Sequence, residues 1–348
     1  MKQPMTSMER VLCTLGHREP DRVPLFLLFS LYGAREAGLS VKEYFSKPEN
    51  VIKAQIHLKK KYQTDCYYTF FYGAVEVEAW GGEVIFYPEG PPNSGESILR
   101  HGEDIDSLEV PDLSSCPSIR RVIEVTRELS SAARGETPLI GVVMSPFSLP
   151  VMQMGFEAYL NLLYFDRPRF DRLMDINRRF CLDWAAAQLQ AGATAICYFN
   201  PLASPDMIDR NLYLTTGYPV DVSTCAGIKG PIATHLASGR VLPVLEDIIR
   251  TGSGVIGVSG IENPGVIKGK AKGKITVLGN LNGVEMPWWS LEETAGKVEE
   301  VIREAAPGGG FILSDSHGEI PWQVPEAVLR QISETTLDKG RYPVMVED

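Results

Sequence analysis

Histidine is scarce in this chain, five in 348 residues, and its six cysteines form no CxxC pair. Scattered thiols at Cys13, Cys66, Cys116, Cys181, Cys197 and Cys225 exclude a zinc ribbon and a disulfide framework. They read as reduced residues of a cytosolic core. There is no HExxH, no GxSxG, and no GxGxxG following an apolar run, so zincin, serine-hydrolase and dinucleotide-binding readings have no support. Positive charge is also in deficit. Thirty-four Lys and Arg stand against 44 Asp and Glu, a net charge of −10, where nucleic acid or an anionic membrane would demand the reverse. No window approaches the roughly eighteen apolar residues of a membrane span, and Met1 to Thr6 carry no signal-type apolar core. A soluble cytoplasmic protein that meets small molecules or a protein partner is expected. No low-complexity linker and no repeat of roughly 20–50 residues interrupts the chain, so one domain over 1–348 is expected.

What the chain does have is apolar matter in a regular order. Hydrophobic residues make up 44% and charged residues 22%, enough for a sizeable core. Apolar runs at 23–29, 66–71, 139–143, 193–199, 232–235, 254–258, 275–278 and 310–313 read as strands. Helical stretches alternate with them. Over 169–192, Phe170, Leu173, Met174, Phe180, Cys181, Trp184 and Leu189 follow a 3.6-residue period; over 291–305, Leu291, Ala295, Val298, Ile302 and Ala305 do the same. Eight such units predict an α/β protein, a (β/α)8 barrel. It would carry an N-terminal extension and a β-hairpin insertion after strand 2, within the Gly-, Pro- and acid-rich segment 81–117.

Barrel chemistry sits where strands end. Two of the five histidines fall at such ends, His235 after strand 5 and His317 after strand 8, the second beside Asp315 and Glu319. These four are the candidate catalytic groups. The two histidines read as metal ligands, as an acid/base pair, or as hydrogen-bonded polar residues. Tyr72, Met144, Phe147, Met152, Tyr198, Asn200 and Asn280, at or beyond other strand ends, are the candidate substrate-binding residues. Their aromatic members favour a flat substrate. Gly308–Gly310 precedes a strand and lacks a following Lys-Ser/Thr, so it reads as a tight turn and not a phosphate cradle.

Motifs in order along the chain add a family resemblance. Met5-Thr6-Ser7-Met8-Glu9-Arg10-Val11-Leu12, then His17-Arg18-Glu19-Pro20-Asp21-Arg22-Val23-Pro24, open it. Val77 to Val84, Ser145-Pro146-Phe147-Ser148-Leu149, Asn200 to Pro205, Leu278-Gly279-Asn280-Leu281-Asn282 and His317-Gly318-Glu319-Ile320-Pro321 follow. The whole resembles the uroporphyrinogen decarboxylase superfamily, which implies the barrel independently of the strand count. Within that resemblance, the aspartate that decarboxylases place after strand 2 corresponds to Tyr72, and a tyrosine they carry further on corresponds to Met152. Both losses point away from porphyrinogen decarboxylation. The other branch contains corrinoid-dependent methyltransferases, some binding zinc through a His-x-Cys pair and a later Cys. The matching positions here are His235, Ala237 and His317, so His235 and His317 are the implied zinc ligands.

The resemblance implies transfer of a methyl group from a small methylated donor, such as an aryl methyl ether, to the Co(I) corrinoid of a partner protein. A homodimer is a further implication. Three alternatives stand beside it: transfer from methylcobalamin to an acceptor, a tetrapyrrole decarboxylase, and a non-catalytic corrinoid binder.

Overall fold

The computed structural model describes residues 4–344. Eight parallel strands form one curled sheet: β1 (Leu25–Phe26), β2 (Tyr67–Tyr68), β3 (Leu139–Met144), β4 (Ala195–Phe199), β5 (Ile232–His235), β6 (Val255–Gly257), β7 (Thr276–Leu281) and β8 (Phe311–Asp315). They run in the order β1-β8-β7-β6-β5-β4-β3-β2, with helices outside. β1 and β2 are not joined by a ladder; side chains and single bonds stitch them together. The Asp65 N–H donates to Leu25 O at 2.7 Å, and the Leu27 N–H donates to Thr64 Oγ1 at 3.0 Å. Gln55 spans the gap higher up: its Nε2 donates to Phe29 O at 2.6 Å, and its Oε1 accepts from the Tyr68 N–H at 3.2 Å. The result is the expected (β/α)8 barrel. The expected first strand is shorter than 23–29 because these side chains take up bonds that a ladder would otherwise use.

Parallel strands covered on both faces must be apolar throughout, and β3, Leu-Ile-Gly-Val-Val-Met, shows it. Inward-facing Phe26, Leu28, Tyr68, Val142, Cys197, Leu278 and Ile312 fill the barrel interior. The N-terminal extension, a helix over Ser7–Leu15 with a Thr6–Glu9 capping box, adds Val11 to that cluster. Outward-facing residues pack under the helices. The long helix spans Arg167–Gln190, capped by Asp166, and buries Phe170, Leu173, Met174, Phe180, Cys181 and Trp184. The helix Leu291–Ala305 has the expected bounds, held by a Ser290–Glu293 capping box. Leu291 itself is 49% exposed, and Thr294 joins Val298, Ile302 and Ala305 on the buried face instead. The insertion after β2 forms a two-stranded antiparallel hairpin, Val84–Ile85 against Asn93–Ser94. Among the described residues no helix is long and apolar enough to cross a membrane.

Candidate functional site

β5 ends at His235, which is fully buried at the carboxyl end of the barrel. Its Nδ1 accepts a hydrogen bond from the Ala237 N–H at 3.0 Å. The imidazole lies flat on Phe199, with centroids 4.9 Å apart and planes at 7°. Phe199 in turn lies parallel to Phe70, 6.2 Å away at 2°. Glycines make room for this stack. A Cβ on Gly257, opposite His235 in the β5–β6 register, would enter the imidazole ring, and one on Gly318 would enter Phe199. Gly318 also has φ +89°, where a side chain is strained. The Tyr68 hydroxyl donates to Gly318 O at 2.9 Å, so the segment after β8 is drawn over the barrel mouth.

Asp315 closes β8 and is fully buried. Its Oδ1 accepts from the His317 N–H at 2.9 Å and the Gly318 N–H at 2.7 Å. The Ser316 hydroxyl and His317 Nδ1 are 3.1 Å apart. Asn280, on β7, donates through Nδ2 to Ser259 O at 2.9 Å and to Glu262 O at 2.8 Å. Among the described residues, the buried polar atoms without a partner include, at this end of the barrel, His235 Nε2, Asn280 Oδ1, Asp315 Oδ2 and Glu76 Oε2. Such atoms cost about 1–3 kcal/mol each when left dry, and a ligand that pairs with them removes that cost.

The electrostatics follow from burial. It pushes the Asp315 carboxyl upward against the pull of two backbone N–H groups and of His317. It pushes Glu319, beside Ser30 and Leu31, up to about 8, with the Asp315 charge adding to the rise. It lowers His317, which Asp315 partly offsets. His235 falls to about 3, from burial first and then from His317. Burial therefore favours neutral imidazole at His235 and works against the charged form of both carboxyls.

The structure brings His235, His317, Asp315, Glu319 and Asn280 to the carboxyl ends of β5, β7 and β8 and the turn beyond. Met144, two residues on from inward-facing Val142, shares its parity and gives its N–H to Glu76 Oε1 at 2.8 Å. Met152 is half-buried on the short helix Pro150–Met154, its Sδ against Gly73. Four of the expected substrate-binding residues are placed elsewhere. Tyr198 lies between inward-facing Cys197 and Phe199, so strand alternation turns it outward, where its hydroxyl donates to Asp221 at 2.7 Å. Asn200 Nδ2 donates to the same carboxylate at 2.6 Å, and its Oδ1 accepts from Ser145 and Ser148. Phe147 packs among Tyr159, Phe170 and Tyr213 of the helix layer. Tyr72 packs edge-on against Phe45 and Phe86, and its hydroxyl donates to Glu78 at 3.2 Å. Phe70, Gly257 and Gly318 shape the site and were not singled out from the sequence. Alternation along β2 and β4 carries the signal for the Phe70–Phe199 pair.

The residues present do not make up a zinc donor set. Residue 237 is alanine, without a ligand atom, and its N–H occupies Nδ1 of His235. Among the described residues no group of three or more His, Cys, Asp or Glu is arranged to hold a metal.

Residues 6–337 match the family described as Uroporphyrinogen decarboxylase (URO-D), and the chain belongs to that enzyme family. It is 25% identical to a uroporphyrinogen decarboxylase of Ralstonia pickettii over 356 residues, covering 94% of each chain. A uroporphyrinogen decarboxylase of Magnetococcus marinus is 24% identical over 361 residues, covering 96% of this chain and 98% of its own. Among solved structures, a methyltransferase from Methanosarcina mazei superposes with a TM-score of 0.85 at 19% identity, over 96% of this chain and 99% of that one. A B12-independent methionine synthase from Shewanella aligns with a TM-score of 0.54 at 11% identity, over 85% of this chain and 87% of that one. At these identities the structural likeness establishes the fold.

Proposed function

We propose that the protein is a corrinoid-dependent methyltransferase, moving a methyl group from a small methylated donor, an aryl methyl ether, to the Co(I) corrinoid of a partner protein. The observation that carries this reading is the set of partnerless polar atoms at the same end of the barrel as the parallel Phe70–Phe199–His235 stack. A flat aromatic donor suits such a wall, and its ether oxygen suits the polar atoms. The Co(I) corrinoid supplies a strong nucleophile toward the methyl carbon. This chain's own task lies at the oxygen. As the methyl–oxygen bond breaks, its electron pair stays on oxygen, and a phenolate leaves poorly from a dry pocket unless it is protonated. Asp315 is the group placed to supply the proton: burial works against its charged form, and Oδ2 is the oxygen free of backbone bonds. The His317 and Gly318 N–H groups then steady the carboxylate left behind.

Decarboxylation finds less support. Tyr72, at the position of the decarboxylase aspartate, faces Phe45 and Phe86. Arg35, on the helix Tyr32–Ala37 that follows β1, donates to the carbonyl of Val324 at 2.6 Å and not toward an acidic substrate. The test is anaerobic: the protein is mixed with Co(I) cobalamin and a panel of methoxyarenes, methylamines and methanol, and the cobalamin absorbance is followed. Methylation from methoxyarenes is the expected result. Failure with every donor, together with turnover of uroporphyrinogen, would overturn the reading.

A further inference from the structure

We propose that His235 works as a fixed, neutral hydrogen-bond donor, its Nε2–H aimed at an oxygen or nitrogen lone pair of the substrate, in the place where a zinc ligand would otherwise stand. Nδ1 of His235 accepts the N–H of Ala237 at 3.0 Å, so that nitrogen carries no proton. A neutral imidazole then has its single proton on Nε2. Nε2 is buried and unpartnered, so the site holds a donor without an acceptor. Coordination of a metal by Nε2 would require the proton to move to Nδ1, where it would collide with the proton on Ala237 N. The backbone bond therefore selects against metal ligation and for donation.

The surroundings hold the ring in that pose. Phe199 covers one face at 4.9 Å. Gly257 leaves room that a Cβ would fill. A Cβ on Gly318 would enter Phe199 and stand 3.7 Å from His235 Cε1, so the segment after β8 closes on the stack. Neither rotation nor a flip of the ring keeps the Ala237 bond. His235 is also a poor proton source, because giving up the Nε2 proton would leave an imidazolate in a buried site. It is a poor base too, because Ala237 N–H blocks Nδ1. What remains is a dipole with its positive end at Nε2, suited to an oxygen that gains negative charge as its bond breaks.

The chemical class of ligand follows. It presents a lone-pair acceptor, an ether, phenol or amine atom, and needs no thiolate-binding metal. That deepens the methyl-transfer reading and favours the direction out of a methylated oxygen over methylation of a thiol. The donor role rests on that reading; the tautomer and the lack of zinc binding do not.

The experiment separates them. Long-range 15N–1H correlation spectra of the imidazole-labelled protein at neutral pH, with His235 assigned by comparison with His235→Gln, report the tautomer directly. The expected spectrum shows a protonated Nε2 and an unprotonated Nδ1, unmoved by stoichiometric zinc chloride. A protonated Nδ1, or a saturable zinc-induced change lost in His235→Gln, overturns the proposal whatever the enzyme's activity. In the methyl-transfer assay, His235→Gln, whose amide N–H reaches the position of Nε2, is expected to keep activity within about tenfold. His235→Ala is expected to lose about 100-fold or more, the usual cost of removing one such donor. Equal losses in folded Gln and Ala variants overturn the donor role.

Discussion

The side chain of Gln188 pairs with the backbone of Val142 as a strand would. Its Oε1 accepts from the Val142 N–H at 3.0 Å, and its Nε2 donates to Val142 O at 2.8 Å. The pairing lies beyond β2, which stops at Tyr68 and leaves the upper edge of β3 without a neighbour. Glu76 continues it one step higher by accepting the Met144 N–H. Gly141 belongs to the same arrangement, since a Cβ there would stand 2.6 Å from Gln188 Oε1.

Gln188→Leu leaves the Val142 N–H and carbonyl buried and unpaired. The expected cost is roughly 2–5 kcal/mol, from two unsatisfied backbone groups. Urea unfolding checks it: the midpoint falls while activity per folded molecule holds. A loss below about 0.5 kcal/mol would mean that the strand edge finds other partners.

Glu76 gives a pH dependence with a definite sign. Burial raises its carboxyl from an ordinary 4.5 to about 8, against the Met144 N–H bond that lowers it. A folded-state value above the unfolded one means that the folded protein holds the proton more tightly. The stabilisation is therefore complete below 4.5 and is lost as pH rises through about 8. Glu76→Gln keeps the acceptor for Met144 and cannot ionise. The variant should match the wild type near pH 4 and exceed it by roughly 2–4 kcal/mol near pH 9. Parallel curves at all pH values would show that Glu76 does not titrate in this way.

Much of the fold was legible because it rests on periodicity. The eight apolar runs and the two long helices lie where alternation and the 3.6-residue repeat put them. The histidines and Asp315 were legible for a simpler reason, as polar residues at or just beyond strand ends. Tyr198 and Phe199 show where such reading stops. Both are aromatic at one strand end, and only the inward parity of Cys197 tells which faces the barrel. Phe147 and Asn200 sit in loops whose direction is decided by distant partners, Phe170 and Tyr213 for one and Asp221 for the other. Gly257 and Gly318 carry no chemical group at all. Their importance appears only once the His235 and Phe199 rings lie against them.

Gly257→Ala tests that packing. The added methyl would enter the imidazole ring, so His235 must leave its place on Phe199, its bond to Ala237, or both. Overpacking of this kind costs about 1–3 kcal/mol in stability. The displacement of a positioned group by about 1 Å is expected to lower kcat about 100-fold. Kinetics alongside thermal unfolding separate the two effects. A variant that is destabilised yet fully active would show that the pose of His235 is unimportant to the reaction.

Tyr72→Asp asks whether the decarboxylase aspartate can simply be restored. The structure says it cannot. Tyr72 is fully buried, 5.2 Å from Phe45 and 5.6 Å from Phe86 in edge-on contact, with its hydroxyl on Glu78. An aspartate there loses the aromatic packing, leaves a cavity, and brings a second carboxylate toward Glu78. A loss of about 3–5 kcal/mol is expected from the cavity alone, with the buried charge adding to it. No uroporphyrinogen turnover should appear. Tyr72→Phe is the control: it keeps the rings in contact, removes only the bond to Glu78, and should cost about 1 kcal/mol. Gain of decarboxylation in a folded Tyr72→Asp protein would place residue 72 at the barrel mouth and reopen the lyase reading.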